Sequence, residues 1–470
     1  MMIALALLTT GTAWAEDLPK DSLKVVDIEE VVVIAAPKEN RKLRELPTAT
    51  TLLSQQDMQA NQVQSVKNLT GIVPNLFIPD YGSKLTTSIY IRGIGSRINT
   101  QSVGLSVDNI PYIDKSAFDF NYADIERIDI LRGPQGTLYG RNTMGGLIKV
   151  HTKSPFTYQG TDIRMGAATY NNYNVSLTHY HRISDRFAFS TGGFYEHAGG
   201  FFENMTRNNE KVDKSNAGGG RFRGIYMPTS NLKIDMTLNY EYGDQGGYPY
   251  EYTGVTQGEE TRPEYIGKIA NNERSGYRRG LLNSGINIEY QARNFILSAV
   301  TGYQNLNDRM FLDQDFTEKD IYTLEQKQRA NTISEEITFK SKPGNNWQWA
   351  TGVSGFYQWL HTTGPVQFGQ EGVRSVIEDN ANEQFENITA GNPRAPKMHM
   401  NINNQGLAVG GSFDTPILNG AIFHQSTFNN LFIKGLSATV GLRLDYEKLK
   451  MDYNSVAAPI SFDFSITMPG

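Results

Sequence analysis

Three groups of side chains in this chain have types and spacing that could do chemistry, and each sits on a different kind of segment. His179 and His181 stand two residues apart, the spacing that puts both imidazoles on one face of a strand, where they could share a metal ion. No third ligand accompanies them, so two histidines of a lumen or an interface are the plainer reading. Tyr248, Tyr250 and Tyr252 alternate within a long polar segment and could stack on a flat ring such as a sugar or a catecholate, although loop tyrosines also anchor the loop itself. Asp27-Ile28-Glu29-Glu30-Val31-Val32-Val33-Ile34-Ala35, ended by Pro37, is a β-branched run able to add itself as a strand to another protein's sheet edge. Bond-making chemistry has no such foothold. No H-E-x-x-H, G-x-S-x-G or G-x-x-x-x-G-K-[ST] pattern occurs, and no carboxylate pair stands out as a hydrolase dyad. The absence of cysteine removes thiol catalysis, disulfides and thiolate metal sites together. Neither an enzyme nor a bound cofactor or metal is expected.

These segments belong to a chain of 470 residues with 44 Lys+Arg against 49 Asp+Glu, a formal charge of -5 that offers no field for nucleic acid. Hydrophobic residues make up 39% and the mean hydropathy is -0.43. No run of about 18 apolar residues occurs, which excludes transmembrane helices. A transmembrane barrel stays open, because only alternate residues of its strands face lipid and such a chain averages out as polar. The 45 Gly, 24 Tyr, 23 Phe and 4 Trp lean the same way.

The elements that must position these groups change in kind along the chain. Ile3 to Leu8 is a short apolar core, and Ala13-Trp14-Ala15 is a small-x-small cleavage site before Glu16, which together read as a secretory signal peptide over residues 1–15. Residues 16–46 form a leader that holds the β-branched run. From 47 to 155 the pattern is mixed: Ser54, Met58, Val63, Val66, Leu69 and Ile72 predict two short helices, while residues 88–92, 104–108 and 125–131 read as strands.

From 156 to 470 the strands are long and alternate strictly. In Lys233 to Tyr242 the even positions Ile234, Met236, Leu238, Tyr240 and Tyr242 are apolar, and the odd positions are polar. Leu436 to Glu447 repeats the pattern. A one-residue slip would reverse both faces, so the register is strongly specified. The connections alternate too. Short turns at 184–185, 228–231, 292–294, 343–346 and 429–430 separate long polar loops at about 199–215, 243–277, 307–324 and 361–404. Short turns on one side and long loops on the other are the asymmetry of an outer-membrane barrel; a β-sandwich also alternates, and a solenoid would need a fixed period that is not found.

Four motifs in the 47–155 segment are distinctive: Ile91-Arg92-Gly93-Ile94-Gly95; Val107-Asp108-Asn109-Ile110-Pro111-Tyr112; the run from Ile125 through Arg132-Gly133-Pro134-Gln135-Gly136-Thr137-Leu138-Tyr139-Gly140; and Gly145-Gly146-Leu147-Ile148. They resemble the plug signature of TonB-dependent outer-membrane receptors. The run at 27–35 is similar to that family's TonB box, and Gly441 to Glu447 to a recurrent barrel strand. The resemblance implies an α+β plug held inside a transmembrane antiparallel β-barrel of 22 strands, in the outer membrane of a Gram-negative bacterium. It also implies uptake of a scarce nutrient, with energy delivered by TonB from its inner-membrane complex.

About eleven strands can be placed between Gly160 and Gly470, and a barrel of half the family's strand number could not enclose a hundred-residue plug. The tail from Phe462 to Gly470 lacks the terminal aromatic strand of outer-membrane proteins, so the sequence reads as truncated at its C-terminus. Gly133-Pro134 after Arg132 predicts a tight turn, and Gly136, Gly140, Gly145 and Gly146 predict close backbone approach in a confined lumen. In Ile333-Ser334-Glu335-Glu336-Ile337-Thr338-Phe339 the odd positions are apolar and face lipid, which sends Glu336 inward. The family's plug arginines meet barrel glutamates, so Arg92, Arg132 and Glu336 are expected to form a charge lock.

Within the family, a ferric siderophore is the expected cargo. Cobalamin is an alternative, as is an oligosaccharide, although glycan importers often carry an extra domain that the stretch before the TonB-box run is too short to supply. A passive porin and a surface adhesin are the readings from other classes, and neither needs a plug or a strand-adding leader. A β-strand hydrolase has no catalytic constellation behind it.

Overall fold

A computed structural model describes residues 38, 48–63, 65–97, 101–120, 124–254, 262–390, 392 and 394–468. The signal segment at 1–15 and the run at 27–35 lie outside the described residues. Two sheets account for most of the fold.

The first sheet is the plug. Its five strands are β1 (Ala49–Ser54), β2 (Val103–Val107), β3 (Ile110–Tyr112), β4 (Ile125–Arg132) and β5 (Gly146–Thr152), in the spatial order β1-β4-β5-β2-β3. Only β2 and β5 run parallel; the other neighbours are antiparallel. Helix α1 (Gln55–Ala60) begins where a capping box closes, since the Ser54 side chain accepts from Asp57 N while Asp57 accepts from Ser54 N at 2.9 Å. Met58 on α1, and Val66 and Leu69 on a 3-10 turn (Val66–Leu69), bury their side chains in a core with Ile89, Ile91, Ile128, Ile130 and Ile148. The strand expected at 88–92 shrinks to Tyr90–Ile91, because Arg92 takes φ 54° and turns the chain out of the sheet.

The second sheet has fourteen strands and is antiparallel throughout. Eleven are nine residues or longer, from Gly160–Ala168 to Ala438–Leu449, and three short ones (Val366–Phe368, Leu407–Asp414, Asp452–Ala457) extend it at the end bearing the long loops. The loops are shorter than the polarity of the sequence suggests. Strand Phe295–Asp313 and its neighbour Tyr322–Ser341 run seven and three residues into the span expected as loop, because strands that project past lipid meet water on both sides and stop alternating without ceasing to pair. The 361–404 segment holds a helical stretch over 370–389, and Lys397–Ile402 pairs with Phe462–Thr467 in a two-stranded ribbon.

Burial in this sheet is inverted relative to a soluble protein. Along Leu232–Gly246, Asp235, Asn239 and Glu241 are 5%, 6% and 4% exposed, whereas Leu238, Tyr240 and Tyr242 are 49%, 51% and 46% exposed. Water outside would reward the opposite arrangement, so the exposed face fits a hydrocarbon surround and the polar face is occupied by the plug. Among the described residues no helix is long and apolar enough to cross a membrane. Strands do the crossing.

Candidate functional site: the plug against the barrel wall

The hairpin between β2 and β3 turns on Asp108 and Asn109, with φ 47° and 71°, the two left-handed positions of a type I′ turn that Asp and Asn tolerate better than other side-chain-bearing residues. Asp108 thereby reaches the wall. Its carboxylate accepts from Thr152 N at 3.0 Å and Thr152 Oγ1 at 2.7 Å, and pairs with Arg221 and, at 3.6 Å, Arg223. Arg221 Nη1 donates to both oxygens of Asp124 at 2.9 Å. Arg223 donates from Nε and Nη2 to Asp235 at 3.0 and 2.8 Å, and from Nη1 to Thr152 O at 2.9 Å. Two plug carboxylates, two wall arginines and a wall aspartate thus form one buried network. Burial opposes ionisation of Asp108, but the Arg223 and Arg221 guanidiniums, helped by Thr152, outweigh it and hold the carboxyl well below the usual carboxylate range.

A second contact set lies under the plug loop that follows β3. Arg279 is fully buried, donates to Ser116 O and, at 2.8 Å, to Asp119 O, and pairs with Glu241, which Lys84 of the plug also approaches at 3.4 Å. Ile110 presses against Gly285 and Gly302 of the wall, where a Cβ would collide with it.

The third set contains Glu336. It faces the plug and pairs with Lys38, whose Nζ also donates to Leu138 O at 2.8 Å and lies 4.8 Å from the Tyr139 ring centre and 5.5 Å from that of Phe423. Neither expected arginine joins it. Arg132 ends β4, opposite Ala49, and donates to Pro74 O at 3.2 Å. Arg92 is exposed on the turn it makes, and its guanidinium comes near Gly133, which takes φ 123°. The lock as assigned to Arg92 and Arg132 is therefore corrected: both arginines stay on the plug surface, and the cation at Glu336 is a lysine from the leader.

Gly140 combines φ 70° with a Cβ position already filled by the Arg443 guanidinium of the wall, whereas Gly136 has open space around it. Close approach thus holds for the first of these glycines and not for the second. Gly93 and Pro134 lie in the turns beside Arg92 and Arg132.

The tyrosine run serves the loop. Tyr248 is buried, its ring packed with Leu85, Tyr277, Met310 and Leu312 and its hydroxyl 2.8 Å from Ser83 Oγ; burial pushes that hydroxyl up to about 12. Tyr250 donates to Tyr81 O at 3.0 Å and packs on Phe316 at 4.7 Å, and Tyr252 bridges to Ile266. Tyr248 is not available to stack on a ligand, because its ring is packed between plug and wall side chains and its hydroxyl is engaged with the plug. His179 and His181 share the outward parity of Tyr173, Val175 and Leu177, near the short turn at 183–186, which favours the interface over the lumen among the two placements left open. Among the described residues no group of three His, Cys, Asp or Glu could hold a metal.

Sequence reasoning passed over Lys38, Arg221, Arg223, Asp235, Glu241, Arg279 and Arg443. A signal existed for two of them: in Arg221-Phe222-Arg223 the aromatic is the lipid-facing residue, 39% exposed, which sends both arginines inward by the parity argument applied to Glu336. Lys38 carried no signal at all, since nothing periodic surrounds it.

Residues 42–147 match the family model described as TonB-dependent Receptor Plug Domain. The chain is 28% identical over 216 residues to the vitamin B12 transporter BtuB of Vibrio vulnificus (strain CMCP6), covering 43% of this chain and 32% of that protein. Among solved structures it is similar to the ferric yersiniabactin uptake receptor FyuA from Yersinia pestis (15% identity, TM-score 0.60, 87% of this chain and 61% of that one). It is also similar to the pyoverdine outer membrane receptor FpvA from Pseudomonas aeruginosa PAO1 (12% identity, TM-score 0.61, 90% and 60%). The chain therefore spans about a third of that curated relative and about three fifths of the two solved receptors.

Proposed function

Because the chain belongs to the TonB-dependent receptors of the Gram-negative outer membrane, we propose that it takes part in energised import: the receptor holds a scarce nutrient at the cell surface and passes it inward when TonB, driven by its inner-membrane complex, acts on the plug. The observation that carries this reading is the buried network of Asp108 and Asp124 with Arg221 and Arg223. A plug bonded to the wall in this way opens only when work is done on it. A passive porin would gain nothing from such an obstruction, and an adhesin would need no plug.

TonB engages Ile28 to Val33 within the 27–35 run by strand addition, a reading that rests on the β-branched sequence and on the family. The domain limits follow the same reading: leader to residue 46, plug over 47–155, barrel wall from 156.

The cargo is a ferric siderophore. Support comes from the fold shared with receptors described as taking up ferric yersiniabactin and pyoverdine. Cobalamin is the second reading, favoured by the 28% identity to a vitamin B12 transporter. Cells carrying the complete receptor, with and without functional TonB, decide between them when offered radiolabelled ferric yersiniabactin, ferric pyoverdine or cyanocobalamin. TonB-dependent accumulation of an iron chelate is expected. Accumulation of cobalamin alone overturns the cargo, and accumulation without TonB overturns energised import.

A further inference from the structure

The outward face of the wall carries a set of basic side chains that the plug cannot use. Strand register aligns them in rows. Tyr240, Leu282, Asn305, Asn331 and Trp359 are cross-strand neighbours over five adjacent strands, and with Tyr303 and Tyr357 they mark where the exposed apolar band ends. The row directly above is Tyr242, Gly280, Asn307, Arg329 and His361, and the next is Asp244, Arg278, Arg309, Lys327 and Thr363. All share the outward parity of Met236, Leu238, Ile286, Ile333 and Val353.

Arg278, Arg309 and Lys327 therefore stand directly opposite one another across three strands, a juxtaposition of like charges that disfavours the sheet unless an anion sits among them. The internal anions answer only part of this. Asp244 bonds Arg278 at 3.0 Å, Glu325 pairs with both Arg309 and Lys327, and Asp414 is 2.7 Å from His361. The Arg329 side chain is exposed and, among the described residues, makes no hydrogen bond or ion pair. Arg278, Arg309, Lys327, Arg329 and His361 border one open cleft of about 550 Å³ with Tyr242 at its lower edge.

Aromatic rings at the edge of an apolar band lie at headgroup level, and the rows one and two steps above them meet the polar part of the outer leaflet. Forked guanidiniums converging there recognise phosphate oxygens. We propose that this patch binds the phosphorylated headgroup of an outer-leaflet lipid, with Arg309, Lys327 and Arg329 as its principal contacts. The inference rests on placement in the outer membrane and not on the cargo.

The complete receptor, purified in detergent with its folded state checked by heat-modifiable migration, is tested by native mass spectrometry against diphosphorylated lipid A, dephosphorylated lipid A and inorganic phosphate. The expected result is preferential retention of the diphosphorylated lipid by roughly tenfold, lost in the triple variant R309Q/K327Q/R329Q. Equal retention of the dephosphorylated lipid, or unchanged retention by the folded triple variant, overturns the proposal. Displacement by excess inorganic phosphate also overturns it, in favour of a free-phosphate site. If the triple variant does not fold, Arg329→Gln decides in its place: this side chain bonds to none of the described residues, so a change in retention reports the lipid contact and no change refutes it.

Discussion

Arg221 on the barrel wall reaches Asp124 on the plug through a single nitrogen, Nη1, that donates to both carboxylate oxygens at 2.9 Å, while its other terminal nitrogen pairs with Asp108. One wall residue thereby ties together two plug segments, the β2–β3 turn at Asp108 and the chain entering β4 at Asp124. The docking depends on it more than on any surface pair, because all three side chains are at least nine-tenths buried.

Arg221→Ala should leave Asp124 uncompensated and Asp108 with Arg223 alone, and weaken plug docking by about 3–5 kcal/mol, less where water enters the seam. The measurement is sensitivity of cells to a large antibiotic that intact outer membranes exclude. Wild-type resistance in a variant present at normal levels would count against the network as the main fastening.

The network should tolerate acid. Asp108 has a folded pKa below its unfolded value of about 3.9, so its contribution is complete above that value and is lost only as the pH falls through the lower, folded one. Antibiotic exclusion should be equal at about pH 7 and about pH 5. Asp108→Asn should impair it at both.

Lys38 and Glu336 join the leader to the wall, and the pair predicts a double-mutant cycle with strong coupling. Glu336→Gln strands a buried lysine, whereas Lys38→Met with Glu336→Gln removes both charges and should recover much of the loss. Protease cleavage in the leader of the complete receptor reads this out: faster in the single variant, near wild type in the double. Equal cleavage in all three forms would falsify the coupling.

Gly140→Ala places a Cβ where the Arg443 guanidinium lies and holds alanine at φ 70°. A cost of about 1–3 kcal/mol is expected, seen as a lower unfolding temperature of the complete receptor. Gly136→Ala, with open space around it, is the control and should change little.

Val32→Pro should abolish uptake while surface binding of the ligand persists, since strand addition runs on backbone hydrogen bonds that proline cannot donate. Val32→Ala should retain most uptake. Loss of both functions in the proline variant would point to a folding fault, and normal uptake would remove this segment from the TonB contact.

What was legible in the sequence is whatever repeats with the period of a strand. The parity that set Ile333 and Phe339 outward and Glu336 inward is a local property, fixed by the pleat and by one lipid-facing side. The same logic applies to Ile234 through Tyr242, whose polar partners are buried against the plug. Close backbone approach at Gly140 was legible as well, since glycine accepts the positive φ it takes there; the left-handed turn at Asp108-Asn109, where a strand was expected through Asp108, was not.

The partners across the seam were decided only by the tertiary structure. Lys38 meets Glu336 from about 300 residues away, and Arg221 meets Asp108 and Asp124 across separations of 113 and 97 residues. A charge buried on one surface requires an opposite charge opposite it, but that requirement names no residue. Which cation answers Glu336 depends on how two sheets, each with its own pairing, are rotated and seated against each other. That relation has no period along the chain, and it exists only once both sheets have formed.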